Sequence, residues 1–402
     1  MWTRLTSKAL SALPRCDLGL PRGVRRVAVA MSGGVDSAMA AALVKAAGYE
    51  AVGLTMQLYD AGARSAGSKT CCAGQDIRDA RALAARLNMP HYVLDYEARF
   101  RTEVMQPFAD SYVAGQTPVP CALCNERVKF LDLLALAREL EAGALVTGHY
   151  IRSLSHRGER ILCRPQDSAR DQSYFLFATT RAQLQHLRFP LGEFAKPQIR
   201  ALAARLGLGV ADKPDSQDIC FVPHGRYADM VAALRPDAKE PGEIVDEAGR
   251  VLGQHQGIMH YTIGQRRGLG VSDSEPLYVL ALDVRRRRVV VGPRTRLGVR
   301  RIILRDVNWL GDGDAERVRL GFRVRSSGPI FLGELLRRAD GSGEVLLDVA
   351  EMGVAPGQAC VFYGAETADS RLYGGGWIVR AEAVAAEAAA HDMAVRRSSS
   401  AG

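Results

Sequence analysis

Apolar residues in this chain fall into short runs, set apart by glycine turns and by stretches with helical spacing. Residues 27–31 (VAVAM) form a continuous apolar run, as in a strand buried on both faces, and lead straight into the turn SGGVDS. Residues 37–47 are alanine-rich and helical, with Gly48 placed to stop the helix. Further strands are expected at 51–57 (AVGLTMQ), 91–94 and 144–147, with helices at 76–87, 99–113 and 127–140. This alternation predicts βαβ units and an α/β fold with a doubly wound parallel sheet. Ligands on such sheets gather at the C-terminal ends of strands. The SGGVDS turn, Met56 and Gly148 all stand at such ends.

Near residue 210 the pattern changes to glycine-punctuated short segments such as PGEIVDEAGRVLGQHQG. From about 275 the chain reads as strands and turns: PLYVLALDV, RRRR and VVVGP, then RIILRDVNWL, ERVRLGFRVR, GEVLLDV and QACVFYG. That density of short strands predicts a small β-barrel. The expected organisation is a disordered basic leader (1–26), the α/β domain (27–208), a small central domain (209–274), a β-barrel (275–380) and a flexible Ala-, Glu- and Ser-rich tail (381–402).

Composition narrows the class. The 402 residues are 47% hydrophobic, enough for two or three cored domains, and no run of 18 apolar residues marks a transmembrane helix. The formal charge of +9, from 53 basic against 44 acidic residues, suits a polyanionic partner such as RNA, but fits a basic protein without one equally well. Eight cysteines are too sparse for a secreted disulfide scaffold, so a reducing cytosol is expected. The leader carries Arg4, Lys8, Arg15, Arg22, Arg25 and Arg26, with no acidic residue before Asp17. It resembles a weak mitochondrial presequence; a basic leader on a bacterial cytoplasmic protein is the preferred reading.

The SGGVDS turn is the first candidate for chemistry. Glycines let the backbone approach a phosphate, and the following helix start adds N–H donors, joined by the hydroxyls of Ser32 and Ser37. The lysine of GxxxxGK[ST] is missing, so the loop suits pyrophosphate as a leaving group, hence adenylation. Asp36 stands to organise a Mg²⁺ ion or to interact with the helix N-terminus. The hexapeptide resembles the signature of the PP-loop ATP pyrophosphatases, whose fold is adenine nucleotide alpha-hydrolase-like. These enzymes adenylate diverse substrates, and the motif does not choose among them.

The cysteines are more selective. Cys121 and Cys124 form a CxxC after TPVP, read as a loop ahead of the 127–140 helix. Thiolates near a helix start, with Arg127 and Lys129 close in sequence, are expected to have lowered pKa values. A third thiol, Cys220, stands in DSQDICF. A structural zinc site is the bland alternative; it needs four ligands, for which only His149 and His224 offer themselves. Cys16, Cys163 and Cys360 read as small buried hydrophobes, and the Cys71–Cys72 pair is ambiguous. Gln265-Arg266-Arg267-Gly268 suits phosphate contacts, whereas Arg285 to Arg288 read at least as well as a solvated turn. Tyr174 can stack on a base or join the core, and core is favoured for Phe175.

TPVPCALCNERVKF, TGHY, RDQSYFL, DSQDICF and HYTIGQRRGLG, in this order after SGGVDS, resemble the tRNA-specific 2-thiouridylase family from residue 28 to about 270. PGQACVFY is a weaker echo in the barrel. The resemblance implies Cys124 as nucleophile and Cys220 as the persulfide carrier. It implies ATP contacts at Ala30, Met31, Ser32, Gly33, Gly34, Val35, Asp36, Ser37, Met56 and Gly148. The segment meeting the target base is Val119, Pro120 and Cys121. Contacts with tRNA are implied at Arg170, Asp171 and Gln172 and, in the barrel, at Arg323, Val324 and Gln358.

The implied reaction adenylates the 2-carbonyl of the wobble uridine with ATP and Mg²⁺, then inserts sulfur supplied by a donor protein. It passes through a Cys124–Cys220 disulfide. Many members carry Asp where this chain has Cys121; with three thiols, Cys121, Cys124 and Cys220 can ligate a 4Fe–4S cluster, or Cys121 is a spectator or resolving thiol. Two rivals stay open. A PP-loop ligase of a small metabolite leaves the cysteines unexplained, and a non-catalytic RNA-binding metalloprotein leaves the phosphate loop idle.

Overall fold

The computed structural model describes residues 4–59, 72–215, 219–222, 227–271, 273–366 and 370–383. Contacts divide the chain into two compact units: residues 1–104 with 121–217, and 105–120 with 218–402.

The first unit is built on a five-stranded sheet. In chain order its elements are α1 (Ser7–Ser11), β1 (Arg26–Ala30), α2 (Val35–Ala46), β2 (Glu50–Gln57), α3 (Cys72–Arg86), β3 (His91–Asp95) and α4 (Glu97–Phe100). The second unit then contributes α5 (Gln106–Val113). The first unit resumes with α6 (Pro120–Cys124), α7 (Phe130–Glu139), β4 (Leu145–Val146) and the β5–β6 hairpin (Arg152–His156, Glu159–Cys163). It ends with α8 (Arg181–Leu184), β7 (Leu187–Arg188) and α9 (Lys196–Arg205). The sheet order is β3-β2-β1-β4-β7, all parallel, with Ala28 opposite both Val52 and Leu145.

Strand order reverses at β1, because β2 lies on one side of it and β4 on the other. The turn after β1 therefore opens at the switch point where α/β sheets bind ligands. Helix α2 is buried almost throughout from Val35 to Val44, since it packs on β1 and β2 and also contacts α1 and α9. An alanine-rich helix fits that place, because small side chains let three neighbours approach.

The leader differs from expectation. Instead of being disordered, residues 4–25 pack on this unit. Thr6 caps α1 through its hydroxyl, and Leu13 and Leu18 join the core that holds Val29 and Leu43. Two arginines fix its end: Arg188 Nε donates to the Leu18 carbonyl at 2.5 Å, and Arg160 Nη2 donates to it at 3.2 Å and also bonds the Gly19 carbonyl. The cluster of basic residues reads as a disordered leader in sequence. The two leucines and the carbonyl anchors override it.

In the second unit aromatic contacts hold α5: Phe108 meets Phe221 edge-on at 5.1 Å, and Tyr112 stacks at 4.7 Å on Tyr227, the first residue of α10 (Tyr227–Leu234). A four-stranded sheet follows, from β8 (Gly242–Val245), β9 (Val251–His255), β10 (Tyr278–Asp283) and β11 (Arg288–Gly292), in the order β10-β11-β8-β9. The β10–β11 hairpin, expected in the barrel, belongs to this central sheet. β11 runs parallel to β8, with Val289 opposite Ile244, and both residues are fully buried. Alternation identifies a strand but does not say which sheet receives it.

The barrel proper begins at β12 (Gly298–Trp309). It continues with β13 (Arg317–Arg323), β14 (Phe331–Arg337), β15 (Gly343–Met352), β16 (Ala359–Tyr363) and β17 (Arg371–Ala383). Six antiparallel strands in the order β12-β15-β14-β13-β16-β17 close through the β17–β12 pair, which removes open edges. Ile302, Leu320, Phe322, Leu335, Leu347 and Phe362 fill it. Strand β17 extends the barrel to Ala383; the remaining tail lies outside the described residues. Among the described residues no helix is long and apolar enough to cross a membrane.

Substituting Arg188→Met removes the anchor at Leu18 while keeping the side chain's length. We expect about 1–3 kcal/mol of destabilisation and faster tryptic cleavage at Arg15 and Arg22. Cleavage kinetics equal to those of the parent protein would show that the leader is held by other means.

Candidate active site

The phosphate loop is preformed. After Ala30, Met31 returns to the sheet through its N–H to the Leu54 carbonyl at 2.8 Å. Gly33 takes φ +74°, and a Cβ there would fall 2.2 Å from the Asp76 carbonyl oxygen. Gly34 caps α2 with its backbone alone. The Ser37 hydroxyl accepts from Ser32 N at 3.1 Å and donates to the Gly34 carbonyl at 3.1 Å, so it bridges the loop internally. Gly148, just beyond β4, must also be glycine, because a Cβ would sit 2.8 Å from Ser37 N and from the Asp36 carbonyl carbon. Ala30, Val35 and Met56 lie where expected, at the end of β1, the first residue of α2 and near the end of β2.

Two lysines that sequence reasoning missed flank this loop. Lys196, the first residue of α9 and only 5% exposed, reaches both Asp36 oxygens at 2.8 and 2.7 Å and Asp215 Oδ1 at 2.8 Å. Tyr150 donates to Asp36 Oδ1 at 3.0 Å, and its ring lies 5.6 Å from the same ammonium. Asp215 also receives Arg170 at 3.0 Å and Arg200 at 2.8 Å. Burial alone would raise the Asp215 pKa, but the Lys196 hydrogen bond and the charges of Lys196, Arg170 and Arg200 outweigh it and hold the value below the usual range. Burial, then the Asp36 charge, pushes the Tyr150 hydroxyl up.

On the other side Lys213 donates to the Gly33 carbonyl at 3.0 Å and to Asp76 and Asp79 at 2.6 Å each. Burial would lower its pKa; the two aspartates overcome that and raise it. The loop lacks an internal lysine yet lies between two lysines supplied from 160 and 180 residues downstream. No local sequence signal marks either one: in AKPQ, Lys196 looks like an ordinary helix start.

The thiols ride on a helix, not on a loop. α6 begins at Pro120, passes into a π-helical turn over Asn125–Lys129 and continues as α7. Proline suits a first helical turn, so it opens this helix although its presence reads as a break. Cys121 and Cys124 are three residues apart on α6, and π-turns gather at functional sites. Cys121 is exposed and Cys124 buried, 5% exposed.

The expected fall in thiol pKa is reversed. Burial pushes Cys124 up, Lys129 pulls it down and Cys121 adds to the rise. Cys124 lies at the end of α6, where the chain runs on into the π-turn, so the helix start offers it no free N–H group. The same crowding raises Cys121, again opposed by Lys129, although part of that residue stays open to water. Beside them Asn125 donates to the Phe175 carbonyl at 3.1 Å, and its buried Oδ1 has no hydrogen-bond partner among the described residues. Cys220, in the second unit, is exposed.

The remaining expected contacts divide. Asp171 accepts from Arg164 at 2.9 Å and from Ser173 N at 3.0 Å, so it caps the turn that follows; Gln172 accepts from Tyr150 N at 2.8 Å. Tyr174 is core and Phe175 half-buried. Val119 and Pro120 are buried. Arg323, 7% exposed, lies 5.1 Å over the Tyr363 ring, and Val324 is 1% exposed. The exposed arginine of that segment is Arg325, paired with buried Glu351. Arg266 and Arg267 are exposed, whereas Arg286, Arg287 and Arg288 are paired with Asp283, Glu240 and Glu243.

His149 is kept neutral: burial, then Lys129, takes its pKa down to about 3. Its Nδ1 lies 2.6 Å from the Thr147 hydroxyl. His224 and Cys71 lie outside the described residues. Among the described residues no group of three or more His, Cys, Asp or Glu is arranged to hold a metal ion.

Asp215 gives a sign for acid stability. Its depressed pKa contributes stability that is present above the ordinary Asp value of about 3.9 and lost as pH falls through the folded value. In Lys196→Met we expect about 2–3 kcal/mol less stability at pH 7 and a shallower loss on acidification. Urea midpoints at pH 7 and below pH 4 test this; an acid dependence as steep as the parent's would remove Lys196 from the network.

Three family models cover the chain: a tRNA methyl transferase HUP domain over 25–224, a tRNA methyl transferase PRC-barrel domain over 231–293 and an aminomethyltransferase beta-barrel domain over 299–378. The chain is 60% identical over 362 residues to the tRNA-specific 2-thiouridylase MnmA of Rhodopseudomonas palustris, covering 88% of this chain and 90% of that protein. It is 58% identical over 375 residues to the namesake from Methylobacterium radiotolerans, covering 92% and 98%. With that of Parvibaculum lavamentivorans the identity is 58% over 383 residues, 93% and 95% of the two chains. Likeness of this extent makes it a member of the tRNA-specific 2-thiouridylase family.

Proposed function

We propose that this enzyme converts the wobble uridine of tRNA to 2-thiouridine at the expense of ATP. The observation that carries the reading is one unit holding both a phosphate loop backed by Lys196 and Lys213 and the paired thiols of α6. The uridine leaves the anticodon stack, because its 2-carbonyl is otherwise out of reach. The loop N–H groups and the two lysines orient ATP so that the 2-oxygen attacks the α-phosphorus and pyrophosphate departs. Mg²⁺ would travel with the phosphates and neutralise their charge. Asp36, with both oxygens on Lys196, serves first to place that lysine.

Cys220 carries the sulfur as a persulfide, received from a donor protein. Its terminal sulfur attacks C2, and AMP leaves with the former 2-oxygen. The Cys124 thiolate then attacks the Cys220 Sγ. The S–S bond to the transferred sulfur breaks, its electron pair completes the C2 thiocarbonyl, and a Cys124–Cys220 disulfide forms. An external dithiol returns two electrons and two protons. Cys121 is a spectator or resolving thiol, and no step runs through a cluster.

The test combines ATP, tRNA and a persulfide donor and reads pyrophosphate and 2-thiouridine separately. Pyrophosphate release should require tRNA. Cys124→Ser and Cys220→Ser should each cut thiolation by at least about a thousandfold while sparing a single turnover of pyrophosphate release; Cys121→Ala should thiolate. Release at the full rate without tRNA would point to a small-metabolite ligase instead.

A further inference from the structure

The barrel turn between β15 and β16 closes on the irregular segment that leads into α6. Thr117 is held at both of its backbone groups. Its N–H donates to the Pro356 carbonyl at 2.8 Å, and its carbonyl accepts from Gln358 Nε2 at 3.1 Å. Gly357, at φ +86°, lies so close that a Cβ would fall 2.9 Å from Gln116 Cβ and 3.1 Å from Thr117 N and O. The turn is itself tied down: Gly357 N donates to the Ile378 carbonyl at 2.9 Å, and Ile378 N to the Gln358 carbonyl at 2.9 Å. Both partners belong to the second unit. Past Thr117 come Pro118, buried Val119 and buried Pro120, the first residue of the thiol-bearing helix.

We propose that Gln358 is a positioning residue, a latch by which the barrel sets the thiol segment from Pro118 to Cys124. The resemblance assigns Gln358 to tRNA; the geometry gives its amide an internal task. Two prolines in four residues leave the segment few conformations. Fixing Thr117 therefore restrains the start of α6, and with it the burial of Cys124. The importance of that burial for sulfur transfer rests on the function proposed above; the latch does not.

The experiment uses the full-length protein without tRNA. Iodoacetamide labelling rates at Cys124 are read by mass spectrometry in the parent protein, Gln358→Ala and Gln358→Glu. The glutamate variant keeps the shape but removes the N–H donor. Fully buried Cys360 and buried Cys163 report on global folding. Both variants should label Cys124 roughly fivefold to tenfold faster, the scale of one lost hydrogen bond in a local opening. The two reference cysteines should stay slow. In turnover, kcat should fall with KM for tRNA within about twofold.

Unchanged labelling, with or without weakened tRNA binding, overturns the latch and leaves Gln358 at most an RNA contact. Labelling that rises in step at Cys163 and Cys360 overturns it too, since the effect is then unfolding. If the parent protein fails to thiolate tRNA, the functional reading falls while the labelling result stands by itself.

Discussion

One buried ammonium group ties the phosphate loop to the helix packed behind it. Lys196 is buried, and a buried lysine is tolerated only when counter-charges surround it. Asp36 and Asp215 supply them, the first from the loop and the second from the segment after α9. The arrangement fixes the start of α2 relative to α9, which pack on each other. It also keeps a cation beside the loop before any nucleotide arrives. Nucleotide phosphates would thus meet positive charge whose desolvation was completed during folding, and that is the economy of a preorganised site.

That network also shows what could be read from sequence. The strands, the α2 helix and the glycine turn were legible because their signals are local: apolar runs of strand length and a glycine where φ must be positive. Lys196 was invisible because its partner Asp36 lies 160 residues upstream and nothing in AKPQ distinguishes it from a plain helix start. The β10–β11 hairpin was read correctly as strands and assigned to the wrong sheet, since pairing with β8 is a tertiary choice. The leader was misjudged for a related reason: Leu13 and Leu18 find core partners such as Leu43 and Leu191 only in segments remote in sequence.

The thiols are a subtler case. Composition and spacing identified Cys121 and Cys124, but the inferred electrostatics had the opposite sign. A helix start lowers a thiol pKa only if its N–H groups face the sulfur and burial does not dominate. Here Cys124 stands where α6 runs into a π-turn, and burial is the leading influence on it.

A buried, protonated Cys124 has a chemical rationale. A thiolate of high pKa is intrinsically the stronger nucleophile but is scarcely populated near neutrality. Such a thiol is silent toward stray oxidants and alkylating species, which react with the thiolate form. It becomes potent only when the surrounding segment opens or the local charge changes. The reaction proposed for this enzyme demands that order of events: in it, Cys124 must not attack the persulfide before the sulfur is bonded to carbon, or the sulfur is lost as sulfide. Holding the nucleophile back by burial, with Lys129 near enough to stabilise the anion once formed, meets the requirement without an additional gate. The cost is a dependence on whatever fixes the start of α6, and in this chain the hydrogen bonds at Thr117 provide it.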